Sequence, residues 1–161
     1  MALFAIKSLP HVRCQDVPGV LAVHIYTDAS AYVEDDTGGW AFSVLCQTLF
    51  HESSGPDFAF SGILGGAYQK STHHPHFVGG LAPPFSSFTT ELIGLMWALA
   101  WAISMVDAVK WIYEPHFVFH YDNESAGDVT FSAATPTSQI DLTTITASLA
   151  YILEQIATVD A

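Results

Sequence analysis

Residues 20–30 read VLAVHIYTDAS, and the reading of this stretch decides the fold. Val20 to Thr27 is rich in β-branched and aromatic side chains, which predicts a strand. The strand stops at Asp28. The segment AYVEDDTGG at 31–39 puts three acids before two glycines that can take positive φ, so it reads as a turn. Trp40 to Phe50 predicts a second strand, antiparallel to the first. Phe58 to Leu64 predicts a third, closed by Gly65 and Gly66.

Further along, Thr89 to Val106 predicts a helix. Leu92, Leu95, Met96, Leu99 and Ile103 follow i, i+3, i+4 spacing, and Ile93, Trp97 and Trp101 cover another face. A helix apolar nearly all round is buried on most sides, so Trp97 and Trp101 read as core. Pro115 to Tyr121 (PHFVFHY) predicts a fourth strand, ending at Asp122. Residues 123–139 read as loop, with Gly127 and Pro136. Asp141 to Thr158 predicts a second helix, with Leu142, Ile145, Leu149, Ile152 and Ile156 as its apolar stripe and Asp141 where an N-cap acid belongs. The resulting order is β-β-β-α-β-α. Residues 1–19 lack a period and carry Pro10, Pro18 and Gly19, so they read as a lead-in or linker to a domain at 20–161. Residues 67–87 read as a long loop, of the kind that is functional or mobile in a compact domain.

Composition narrows the function classes. The chain has 161 residues, enough for one domain with a real core, and at 50% hydrophobic it is not a disordered chain. Its formal net charge is −12, with only Lys7, Arg13, Lys70 and Lys110 as cations. Four scattered cations build no basic stripe, so strong binding of nucleic acid through phosphate contacts alone is not expected, and anionic membrane surfaces are disfavoured. The longest strongly apolar run, Leu92 to Val106, falls short of the roughly 18 residues of a membrane span. No basic n-region precedes an apolar core at the N-terminus, so an intracellular, non-secreted protein is expected. Cys14 and Cys46 make no disulfide framework and are expected as free thiols.

Asp28 ends the first strand, Asp122 ends the fourth, and Glu91 sits near the start of the long helix. If those two strands are parallel neighbours, both aspartates project into one crevice at the carboxyl edge of the sheet, where open α/β sheets bind ligands. A helix packed across the sheet can bring Glu91 to the same point. Three clustered carboxylates repel one another unless a cation sits among them. Hard oxygen ligands suit Mg²⁺ or Mn²⁺, and two such ions about 3.5–4 Å apart support in-line phosphodiester hydrolysis. Each acid also has an ordinary role: Asp28 as a turn acid, Glu91 as a partner of the helix dipole, Asp122 in an Asx turn with Asn123. Glu124 and Asp128 lie near but read as solvated loop acids. His73, His74 and His76 lack the four ligands of a zinc site, and His24 and His120 read as ordinary strand residues. No nucleophile elbow, P-loop or dinucleotide fingerprint is present.

Three motifs resemble the ribonuclease H family. IYTDAS (25–30) resembles its first-strand motif, TTELIGLMWALAWAI (89–103) its glutamate-led helix, and FHYDNESA (119–126) its fourth-strand motif. GGW at 38–40 resembles the glycine-rich entry to its second strand. The resemblance spans roughly residues 20–158, and is to the domains attached to reverse transcriptases of retroelements more than to the compact cellular enzymes. It implies an α/β, ribonuclease H-like fold: a mixed sheet of three antiparallel strands and a fourth parallel to the first, with packed helices. It implies that Asp28, Glu91 and Asp122 bind two Mg²⁺ or Mn²⁺ ions and cut the RNA strand of an RNA–DNA hybrid, one ion activating water and the other stabilising the leaving oxygen. The implied partners are nucleic acid and a larger reverse-transcriptase polyprotein.

The family's last strand and last helix, with a fourth carboxylate and a mobile histidine, are expected to be missing. Asp160 is read as following a helix and is not given the fourth role. Apolar surface left uncovered by that loss predicts self-association. Two alternatives stand beside the nuclease: a catalytically inactive ribonuclease H-like remnant or binding module, and a metal-free small-molecule binder in which the three acids do not converge.

Overall fold

Alternation along the first strand sets the layers. In the computed structural model, which describes residues 20–32, 34, 37–49, 56–69, 86–108, 111 and 113–161, β1 spans Val20–Tyr32. Val23, Ile25 and Thr27 are buried on one face, while His24, Tyr26 and Asp28 are more exposed on the other. β2 (Thr37–Leu49) runs antiparallel to β1 up to the pair Tyr32↔Thr37. β3 (Pro56–Gln69) runs antiparallel to β2. β4 (His116–His120) is parallel to β1, with Val23 opposite Phe117 and Tyr26 opposite His120. The sheet order is β3-β2-β1-β4-β5. This is the expected mixed sheet, with one strand more than expected.

That strand is β5, Thr158–Asp160, parallel to β4. It begins where the Thr158 amide donates to the Pro115 carbonyl at 2.8 Å. Asp160 therefore lies in a strand, and the expectation that the sheet stops at β4 fails. Three residues are too few to show a period.

Helix α1 (Ser87–Ala108) lies on the buried face of the sheet. Thr89 to Leu99 is buried without a break, over Ile25, Phe42, Val44, Phe117 and Phe119 in one core. By length and composition α1 could cross a membrane, but most of it is buried in the fold, so its apolarity is that of a core helix. Trp97 stacks on Trp40 with centroids 6.0 Å apart, and Trp101 meets Phe42 at the same 6.0 Å, so both tryptophans are core as expected. At the C-terminal end Trp111 Nε1 donates to the carbonyls of Met105 (3.2 Å) and Val106 (3.1 Å), which would otherwise be orphaned.

Residues 123–139, expected as loop, contain helix α2 (Glu124–Phe131). Asn123 starts it as N-cap, its Oδ1 accepting from the Ala126 amide at 3.0 Å. Gly127 looks like a turn signal but is a packing requirement. A Cβ there would collide with the Tyr121 ring, which stacks on Phe131 at 5.8 Å.

Helix α3 (Ile140–Ile156) packs on α1 and α2, with a face the sequence does not predict. Leu142, Thr143, Thr146, Ala150 and Leu153 are buried, whereas Ile145, Ile152 and Ile156 are 39%, 47% and 42% exposed. Threonine reads as polar in a periodicity count. Here Thr146 Oγ1 donates back to the Leu142 carbonyl at 2.8 Å, which satisfies the hydroxyl and lets it be buried. The N-cap is Gln139 in the left-handed region (φ 52°), and Asp141 sits in the first turn instead. Cys46 is fully buried and disulfide-bonded, so it is not the free thiol expected. The lead-in at 1–19 and the histidines at 73, 74 and 76 lie outside the described residues.

The inward face of α3 is testable by urea unfolding followed by circular dichroism. Leu153→Ala is expected to cost about 2–5 kcal/mol, and Ile152→Ala to change stability by about 0.5 kcal/mol or less. The reverse ranking would put the isoleucine stripe inside.

Candidate metal centre

Parallel pairing of β1 with β4 places the site. Tyr26 is opposite His120, so Asp28 and Asp122, each two residues further on, arrive side by side. A hydrogen bond from Thr27 Oγ1 to the His120 carbonyl (3.4 Å) ties the strands at this level. β1 does not stop at Asp28, because β2 continues to pair with it, Asp28 lying opposite Ala41. After Asp122 the chain turns at once into α2. Asn123 takes the capping role that Asp122 could have filled, which leaves the Asp122 carboxylate for the cluster.

Glu91 comes from α1. Because that helix begins at Ser87, its first turn holds no acid, and Glu91 sits beyond the reach where the helix dipole would explain it. It is 4% exposed, whereas Asp28 and Asp122 are exposed. Carboxylate oxygens of the three lie within 4.8 Å of one another. The reading in which these acids stay apart, the metal-free binder, is thereby overturned.

The electrostatics are those of a crowded acid cluster. Burial, then Asp122, then Asp28 push the Glu91 carboxyl up to about 7, against the pull of a hydrogen bond from the Ala29 amide. Its Oε2 is buried with no hydrogen-bond partner. A buried, unpartnered carboxylate oxygen is costly on its own. Beside two more carboxylates it is a ready ligand for a hard cation, and three carboxylates are the donor set that Mg²⁺ and Mn²⁺ take. Among the described residues no other group of three or more metal-ligating side chains comes together.

The remaining candidates lie apart. Asp160 pairs with His116, Oδ2 to Nε2 2.6 Å, level with Val118. Glu124 and Asp128 are exposed on α2; with burial they push the Tyr121 phenol up. His24 and His120 are not isolated strand residues. His24 Nδ1 is 3.0 Å from His120 Nε2, His24 Nε2 is 2.9 Å from Gln47 Oε1, and Tyr26 stacks on His120 at 4.2 Å. Only the β1–β4 register could have revealed this pairing from sequence.

No family model matches the sequence, and no curated protein matches it. Solved structures do. Over 86% of this chain and 82% of the other, it superimposes on the RNase H1 of the halophilic archaeon Halobacterium salinarum NRC-1 with a TM-score of 0.52 at 14% identity. The fold is that of ribonuclease H. LC9-RNase H1, described as a type 1 RNase H with the type 2 active-site motif, matches with a TM-score of 0.50 at 14% identity. That match spans 90% of this chain and 63% of that one. The carboxylate cluster thus stands on a ribonuclease H-like sheet, just beyond the point where the parallel pairing of β1 with β4 ends.

The pH dependence follows from Glu91. Its pKa of about 7 in the fold exceeds the ordinary 4.5. Between those values the folded protein keeps a proton that the unfolded chain has released. Without metal, stability therefore falls as pH rises from about 4.5 to about 7, by on the order of 3 kcal/mol. Glu91→Gln is expected to remove this slope and to melt higher than wild type at pH 8 without metal. Added Mg²⁺ is expected to raise the wild-type melting temperature and to move the variant less. A variant that melts lower at pH 8 without metal would contradict the assignment.

Proposed function

We propose that the chain is a metal-dependent endonuclease that hydrolyses the RNA strand of RNA–DNA hybrids, with Asp28, Glu91 and Asp122 as its metal-binding and catalytic residues. One observation carries the reading: the three acids converge, with an unpartnered buried oxygen on Glu91, in a ribonuclease H-like fold. Mg²⁺ or Mn²⁺ bound there, as two ions, would supply an activated water and charge stabilisation at the leaving oxygen. The chain's own residues prepare the site. α1 and the Ala29 amide fix Glu91, whose carboxyl would give up its proton in order to hold a cation. Asp28 and Asp122 face solvent and are open to a nucleic-acid strand. The Asn123 cap and the Gly127–Tyr121 contact fix the direction of the chain after Asp122. The motifs at 25–30, 89–103 and 119–126 support an origin among the ribonuclease H domains of retroelement reverse transcriptases.

A second reading, the same scaffold without turnover, is favoured by one observation. Asp160, the last acid in the chain, is engaged by His116 and adds no fourth carboxylate to the cluster.

Cleavage of an end-labelled RNA–DNA hybrid separates the two. Wild type with Mg²⁺ or Mn²⁺ is expected to cut, and Asp122→Asn to cut on the order of 100-fold more slowly or worse, a loss of about 3 kcal/mol or more in transition-state stabilisation. Chelation is expected to abolish the activity. No cleavage by folded, metal-supplied wild type would favour the inactive scaffold.

A further inference from the structure

Three side chains on the open face of the sheet are joined across three strands, and the metal centre makes no direct use of them. His24 and Tyr26 project from that face on β1, in line with Asp28. His120 projects on β4, opposite Tyr26 and two residues before Asp122. Gln47 stands on β2, diagonal to His24, which is opposite Leu45. His24 Nε2 lies 2.9 Å from Gln47 Oε1, and His24 Nδ1 lies 3.0 Å from His120 Nε2. An amide oxygen only accepts, so His24 Nε2 carries a hydrogen. In the neutral pair His24 Nδ1 is then the acceptor and His120 Nε2 the donor. The bonds run in one direction, from His120 to His24 to Gln47. The Tyr26 ring stacks on that of His120 at 4.2 Å, inclined by 7°.

The place of this relay matters because β4 is short. It has five residues, and Tyr26↔His120 is the last of its pairs with β1. Asp122 stands two residues beyond that pair, where the strand pairing no longer holds it. Asp28 is in a different position, because β2 pairs with β1 past it, out to Tyr32↔Thr37. Whatever fixes His120 therefore fixes the direction in which the chain leaves toward Asp122. Thr27 Oγ1 holds the His120 carbonyl at 3.4 Å, and His24 and Tyr26 hold its ring. The hold works against a load, since the Asp122 carboxylate is repelled by its two neighbours in the cluster.

Resting on the reading of the three acids as metal ligands, we propose that His24 and Gln47 are positioning residues of the metal centre, which through His120 hold Asp122 level with Asp28. The carboxylates then converge before an ion arrives. With the relay broken, Asp122 relaxes away from the other acids, and a binding ion has to draw it back. Outer partners of this kind are worth about 10–100-fold in metal affinity.

The test is Mn²⁺ binding to the full chain by isothermal titration calorimetry, read beside the metal-free melting temperature, with folding checked by circular dichroism. His24→Leu removes both bonds and is expected to weaken Mn²⁺ binding about tenfold or more. His24→Gln is the rescue, because its amide can accept from His120 and donate to Gln47; it is expected to bind within about threefold of wild type. Adding Gln47→Leu to His24→Leu is expected to cost no further affinity, since the relay is already broken. A His24→Leu protein that melts lower yet binds Mn²⁺ like wild type would make the role one of stability alone and overturn the inference. So would a His24→Gln protein that binds as weakly as His24→Leu. Either result leaves the metal centre standing if Asp122→Asn still weakens binding. Wild type that binds Mn²⁺ no better than Asp122→Asn would remove the metal centre, and the positioning role with it.

Discussion

Asp28, Glu91 and Asp122 are held together against their own repulsion, and the rest of the structure is arranged around that constraint. β1 and β4 bring two of the acids out at one level because they pair in parallel. α1 buries the third against them because almost all of its surface is apolar. The core that makes this possible is large and aromatic, with Trp40, Phe42, Trp97 and Trp101 locking α1 to the sheet. A well-packed core can carry a locally unfavourable cluster, and such clusters concentrate at functional sites. A bound cation would turn the repulsion into attraction, so the arrangement that weakens the free protein would also give it affinity for metal.

Much of this was legible in the sequence, and for identifiable reasons. The β-branched run ending at Asp28, the all-apolar helix after Glu91 and the short strand ending at Asp122 are strong local signals, and their order places the acids on one edge. The parts that were not legible fail just as locally. Gly127 reads as a loop signal when its job is to make room for the Tyr121 ring. Thr143 and Thr146 read as polar, so the isoleucine stripe of α3 reads as the buried face, which it is not. β5 has three residues and no period. The His24–His120 pair depends on cross-strand register, which a single sequence does not print.

The charge balance gives the molecule its particular character. A net charge of −12 with four cations is a poor match for a polyanion. Metal held at the carboxylate cluster would reverse the local sign.

The most direct test of the central claim is the anomalous difference density of Mn²⁺ in crystals grown above pH 7, where Glu91 gives up its proton most readily. A peak bonded to carboxylate oxygens of Asp28, Glu91 and Asp122 together is expected. A Mn²⁺-saturated crystal with no density among these three residues, or with the ion held elsewhere, would contradict it.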